Sequence, residues 1–193
     1  MTSNVELINS KLSKASTHAS KLFPEEFTVS DYVSLDLSVS NKELMTLGDI
    51  TPTGFTGYIF EKINLLGGKI GFGGFFEERR WYQQSSHFDQ QNEPRDIHLG
   101  VDFWVKEGTE VICPITGRIH SFQDNANYLD YGPTIILEHD LDGIIIYSLY
   151  GHLSKESILN KKVGQIINAG QVFNIYHKPR CQRWLVRVFI FSL

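Results

Sequence analysis

The stretch "RDIHLGVDFW", residues 95–104, sets His98 and Asp102 four positions apart with Gly100 between them. An imidazole nitrogen and a carboxylate oxygen are both zinc donors, each bonding at about 2.0–2.2 Å. On a straight strand, residues four apart share a face but stand about 13 Å from each other, at roughly 3.3 Å per residue. The two side chains can meet on one ion only if the backbone bends between them, and glycine is the residue type that permits a bend. Spacing alone leaves two readings open, a pair of metal ligands or two polar residues of a loop. Of the other histidines, His139 closes an apolar run and reads as structural or surface, and His120 alternates toward solvent. His18 and His87 lie in polar segments, and His152 taken alone is a loop histidine. Trp81, Tyr82, Trp104 and Tyr128 could line a groove, although aromatic residues of a β-rich chain are more often core.

The elements that must position these groups are mostly strands. The chain has 193 residues, 41% of them hydrophobic, enough for a core. Residues 1–22 are polar, with Val5, Ile8, Leu12 and Ala15 at helical spacing, which predicts a short helix or a frayed tail. "FTVSDYVSLDLSVS" alternates over Val33, Leu35, Leu37 and Val39 and predicts a half-buried strand. "GFTGYIFEKINLLGGKIGFGGFF", punctuated by glycine pairs, extends this into a small β-rich N-terminal region, followed by a long polar loop. From Arg95 the short runs "TEVICP", "GRIHSF", "PTIILEH", "GIIIYSLYGHL" and "QIINAGQVFNIY" predict a mainly β fold, an antiparallel sheet or sandwich.

The net charge of −4, with both signs interspersed, points away from a nucleic-acid surface. Cys113 and Cys181 form no metal-type pair and read as reduced thiols, Cys113 buried in a strand. No signal peptide opens the sequence as written and no run is long and apolar enough for a membrane span, so the expected location is cytoplasmic, or extracytoplasmic if the true start is upstream. Oligomeric state is not legible.

The surrounding text narrows the chemistry. "HLGVDFWVKEGTEVICPITGRI" resembles the opening of the lysostaphin-type zinc metalloendopeptidases, in which His-x-Gly-x-Asp precedes a Gly-Thr/Ser-x-Val turn and a strand ending in Gly. The matching residues are His98, Gly100, Asp102, Gly108, Thr109, Val111, Pro114, Gly117 and Ile119. "YGPTIILEH" matches a second block of the family, "YSLYGHLS" a third with His152 in the histidine position, and "VGQIINAGQVF" a fourth. The resemblance implies a duplicated hybrid motif type of β fold over residues 95–176, with 1–94 before it and an aberrant tail, 177–193. It implies a zinc ion held by His98, Asp102 and a further histidine. Hydrolysis of peptide bonds in peptidoglycan cross-bridges or stem peptides would follow by metal-activated water, with His152 as catalytic proton acceptor or oxyanion stabiliser.

The final family block, His-x-His on a strand after the Val-Gly-Gln hairpin, supplies the third ligand, and this sequence has none. It reads "HKPRCQRWLVRVFIFSL" instead, and His177 comes too early to replace it. The gap argues against activity and favours the alternative of a non-catalytic binding or regulatory module. A β-sandwich carrier ranks last, because the hairpin has no lysine at its tip. Read with a two-base offset, residues 185–192 permit Ser-Pro-Arg-Leu-His-Phe-Gln, close to the family's Pro-His-Leu-His-Phe. The expectation is a frameshifted gene whose tail leaves an uncovered, aggregation-prone edge. The coding DNA beyond the codon for Tyr176 checks this: an offset frame lacking that block rules the frameshift out.

Overall fold

The computed structural model describes residues 4–47, 51–79, 96–125, 130–175 and 186–191. Three long strands form the centre: β7 (Gly117–Asn125), β8 (Gly132–Leu141) and β9 (Ile144–Gly151), each antiparallel to the next. Along β8 the residues Ile135, Leu137 and His139 are buried while Ile136 and Glu138 are partly covered, the period of two that a sheet packed on one face requires. Asp142 and Gly143 join β8 to β9, both with positive φ (52° and 89°). This is the two-residue Asp-Gly turn whose twist suits a hairpin. Helix α1 (Asn4–Ser16) clamps that turn, since Lys11 and Lys14 donate to the Asp142 carboxylate at 3.0 and 3.1 Å. The two ammonium groups pull the Asp142 carboxyl below its ordinary pKa.

Around this centre an eight-stranded sheet runs β1-β2-β5-β12-β9-β8-β7-β10. Its other members are β1 (Tyr32–Ser34), β2 (Ile70–Gly73), β5 (Val101–Trp104), β10 (Ile166–Ile167) and β12 (Val186–Phe191). A two-stranded sheet of β6 (Glu110–Ile112) and β11 (Val172–Ile175), with the short helix α4 (Lys155–Ile158), makes the covering layer. Phe23, Val111, Cys113, Ile119, Ile135, Leu137, Tyr150, Ile167 and Phe173 form one core cluster between them. Burial pushes the Cys113 thiol up to about 11, and the thiol donates to the Ile115 carbonyl. The expected antiparallel β architecture is the architecture found.

The N-terminal region differs from its expectation. Val33, Leu35 and Leu37 are buried in alternation, as read, and β1 pairs in parallel with β2. Residues 52–65, read as part of a β-rich segment, are instead the helix α3 (Pro52–Leu65). Thr51 caps it by accepting from the Gly54 N–H, and Pro52 stands in the first turn, where its missing N–H costs nothing. Phe55, Ile59 and Ile63 recur at helical spacing and pack with Val33, Leu35, Leu37, Leu44 and Trp104 in a second core cluster. Helix α2 (Lys42–Thr46) contributes Leu44. The glycine pairs 67–68 and 73–74, read as punctuation of short strands, lie beyond this helix, and within it the 3.6-residue period prevails. Trp104 belongs to this core.

The C-terminal strand also departs from its expectation. β12 is hydrogen-bonded on both sides, to β5 through Val186–Val188 and to β9 through Arg187–Phe191. It is a central strand, not an uncovered edge.

Gly73 lies opposite Asp102 in the β2–β5 ladder, and a Cβ there would sit 2.3 Å from the Leu35 carbonyl oxygen. Backbone cannot step aside as a side chain can. Gly73→Ala is expected to lower stability by about 1–3 kcal/mol, read as a reduced midpoint in urea unfolding.

Candidate functional site

The bend demanded by the sequence is present. The chain leaves β4 (Ile97–His98) at His98, turns through Leu99 and Gly100, and enters β5 at Val101. His98 Nε2 and Asp102 Oδ1 come to 3.5 Å, both residues buried. β4 is held by β3 (Glu77–Glu78), with Glu77 opposite His98. His98 Nδ1 stands 2.7 Å from the Gly74 carbonyl oxygen. A carbonyl only accepts, so the ring proton sits on Nδ1 and Nε2 offers its lone pair when the imidazole is neutral.

Gly74 is required here. Its φ is +99°, and a Cβ would lie 1.9 Å from Arg79 Nη2 and 2.6 Å from His98 Nδ1. Arg79, itself buried, donates from Nη1 to Asp102 Oδ2 at 2.5 Å and from Nε to Glu77 Oε2 at 2.7 Å. The other Glu77 oxygen accepts from the Leu37 N–H at 2.7 Å. A continuous line of charge thus runs from the N-terminal region through Glu77 and Arg79 to Asp102 and His98.

Two donors on a tetrahedral zinc, with bonds of about 2.0–2.2 Å, stand about 3.3–3.6 Å apart. The pair of His98 and Asp102 fits one edge of that figure. A third donor does not join them: among the described residues no cluster of three or more His, Cys, Asp or Glu is arranged to hold a metal. The strand beside Asp102 is β12, whose Arg187 is the register partner of Asp102 on one side and Gly151 on the other. Its sequence, Val-Arg-Val-Phe-Ile-Phe, contains no metal-ligating residue type. These residues do not complete a catalytic zinc shell.

His152 follows β9 immediately, so its backbone lies about two strand spacings, near 10 Å, from β5. It is buried, has a φ of +58°, donates its backbone N–H to the Tyr131 carbonyl at 2.7 Å and faces the Tyr131 ring. His139 is a core residue. Its Nδ1 donates to the Thr116 carbonyl at 3.1 Å, its Nε2 accepts from the Ser148 hydroxyl at 2.6 Å, and a Cβ on Gly117 would press to 2.7 Å from its ring. His120 is exposed. Trp81, Tyr82, His87, Tyr128, His177 and Cys181 lie outside the described residues. Nothing in the sequence pattern singles out Arg79, which sits in the polar run "EERR" and reaches Asp102 across 23 positions.

Residues 96–177 match the sequence profile of Peptidase family M23. Over that stretch, which is less than half of the chain, the protein is similar to the M23 peptidases. Among solved structures, the catalytic domain of the antimicrobial peptidase lysostaphin from Staphylococcus simulans is 28% identical. That match spans 50% of this chain and 68% of that one, with a TM-score of 0.42. The solution structure of lysostaphin is likewise 28% identical, over 49% of this chain and 36% of that one, with a TM-score of 0.41. Helicobacter pylori Csd3 is 21% identical, over 51% and 24%, with a TM-score of 0.39. No curated protein matches the chain. No helix among the described residues is long and apolar enough to cross a membrane.

Burial holds the His139 pKa below its ordinary 6.5. The unfolded chain therefore takes up that proton first, so this contribution to stability is complete above about pH 6.5 and is lost as pH falls below it. Urea midpoints should decline from about pH 7 to 5, and His139→Phe should make that decline shallower than in the wild type. An unchanged slope would show that another group governs it.

Proposed function

We propose that this M23-like domain binds the peptide portion of bacterial peptidoglycan, cross-bridge or stem peptide, without hydrolysing it. The observation that carries this reading is the strand next to Asp102. A zinc peptidase of this kind needs a third protein donor to hold its ion and activate water. The position beside Asp102 is filled by β12, paired on both sides and devoid of ligand residue types.

A binding role is supported by the residues that adjoin His98 and Gly74 in the chain. Ile97, Leu99, Phe75 and Phe76 are all exposed, at 42%, 56%, 72% and 70%. Exposed large apolar side chains, with the Phe75 and Phe76 rings in contact and Phe75 sharing one cavity lining with Leu99, are of the sort that marks an interaction site. Phe76 also holds a φ of +55°, a conformation that costs an aromatic residue about 1–3 kcal/mol. With little packing to offset that cost, the strained aromatic suits contact with a ligand.

A second reading, a zinc metalloendopeptidase with His98 and Asp102 as ligands and His152 as the proton acceptor, is favoured by one number. The 3.5 Å between Nε2 and Oδ1 is a zinc-ligand edge.

Sedimentation with purified peptidoglycan, followed by amino-group release from it, separates the two. Binding without release, indifferent to chelator, is the expected result. Chelator-sensitive release lost in His98→Ala would establish the second reading instead. Phe76→Gly is expected to weaken sedimentation severalfold while leaving thermal stability equal or higher, because the left-handed conformation is free for glycine.

A further inference from the structure

We propose that the Arg79 guanidinium is the resident cation of this pocket, standing where a divalent ion would otherwise bridge the acidic groups and keeping metal out. Arg79 is 5% exposed and Asp102 is fully buried, so neither charge is screened by solvent. The guanidinium spans two carboxylates at once, Asp102 through Nη1 and Glu77 through Nε. Its Nη2 passes over Gly74, in the same cradle that receives His98 Nδ1, and only the missing Cβ leaves room for both groups. Glu77 in turn faces His98 across the β3–β4 ladder. The cation therefore bridges the Glu77 and Asp102 carboxylates beside the His98 ring.

Charge counting gives the consequence. Glu77, Arg79 and Asp102 with a neutral His98 sum to one negative charge, and a dication added beside the guanidinium would be a like charge in a buried site. Without the guanidinium the two carboxylates carry two negative charges, which one dication balances. Repulsion between unit charges a few ångströms apart is large where water is excluded. The arginine also fixes Asp102 Oδ2, leaving only Oδ1 toward His98.

The inference concerns metal, not peptide, and goes beyond the binding role proposed above. Loss of peptidoglycan binding would leave it standing, and zinc uptake by the wild type would overturn it with binding intact. The experiment compares zinc content after dialysis and zinc-dependent thermal shift in the wild type, Arg79→Ala and Arg79→Lys, using zinc alone as probe. Wild type and Arg79→Lys should retain no stoichiometric zinc and melt at the same temperature with zinc or chelator. Arg79→Ala should be destabilised without metal, regain stability with zinc, and bind it at least about tenfold more tightly than wild type. Asp102→Asn added to Arg79→Ala should remove that response. Stoichiometric zinc in the wild type, or no zinc response in a folded Arg79→Ala, overturns the proposal. If Arg79→Ala does not fold even with zinc, zinc uptake by Arg79→Lys overturns it, and indifference of both Arg79→Lys and wild type sustains it.

Discussion

A carboxylate with no solvent exposure cannot remain ionised unless a cation and hydrogen bonds replace the water it has lost, and Asp102 is in that position. Removing one partner of a buried pair typically costs about 3–5 kcal/mol, because the other charge is left uncompensated. The surrounding architecture conforms to this constraint. Arg79 answers Asp102, Glu77 aligns Arg79, and the Leu37 backbone N–H fixes Glu77. Leu37 in turn belongs to the second core cluster under α3. The electrostatics of the pocket and the packing of the N-terminal region are therefore one system.

The same dependence appears in the sheet. β2 and β12 flank β5, so Asp102 stands in the middle of a continuous ladder with Gly73 on one side and Arg187 on the other. The N-terminal region contributes β1 and β2 to this sheet and places α3 against it. It forms part of the scaffold that aims Asp102.

Much of this was legible in the sequence. The β-branched runs in "PTIILEH" and "GIIIYSLYG", and the Asp-Gly dipeptide between them, encode the central hairpin through local chemistry. The bend at Gly100 followed from the distance two ligands can span. Residues 52–65 misled because the glycine pairs after them suggested short strands, while the buried members of the helical period, Ile59 and Ile63, declare themselves only once a sheet face is there to receive them. Arg79 was invisible for a deeper reason. Its partners are distant in sequence, and a charge in a polar run reads as solvated unless the fold buries it. The C-terminal segment shows the converse: an apolar alternating run will complete a ladder whether or not it brings the donors expected of that position.

Cys113 adds a consequence of a different kind. Its thiol is fully buried and ionises only near about pH 11, so at neutral pH almost none of it is the nucleophilic thiolate. The Cys113 backbone N–H donates to the Gln171 carbonyl, so the residue is shielded only while the covering layer stays docked. Alkylation of this sulfur, read separately from that of Cys181, is thus an internal clock for the lifting of that layer.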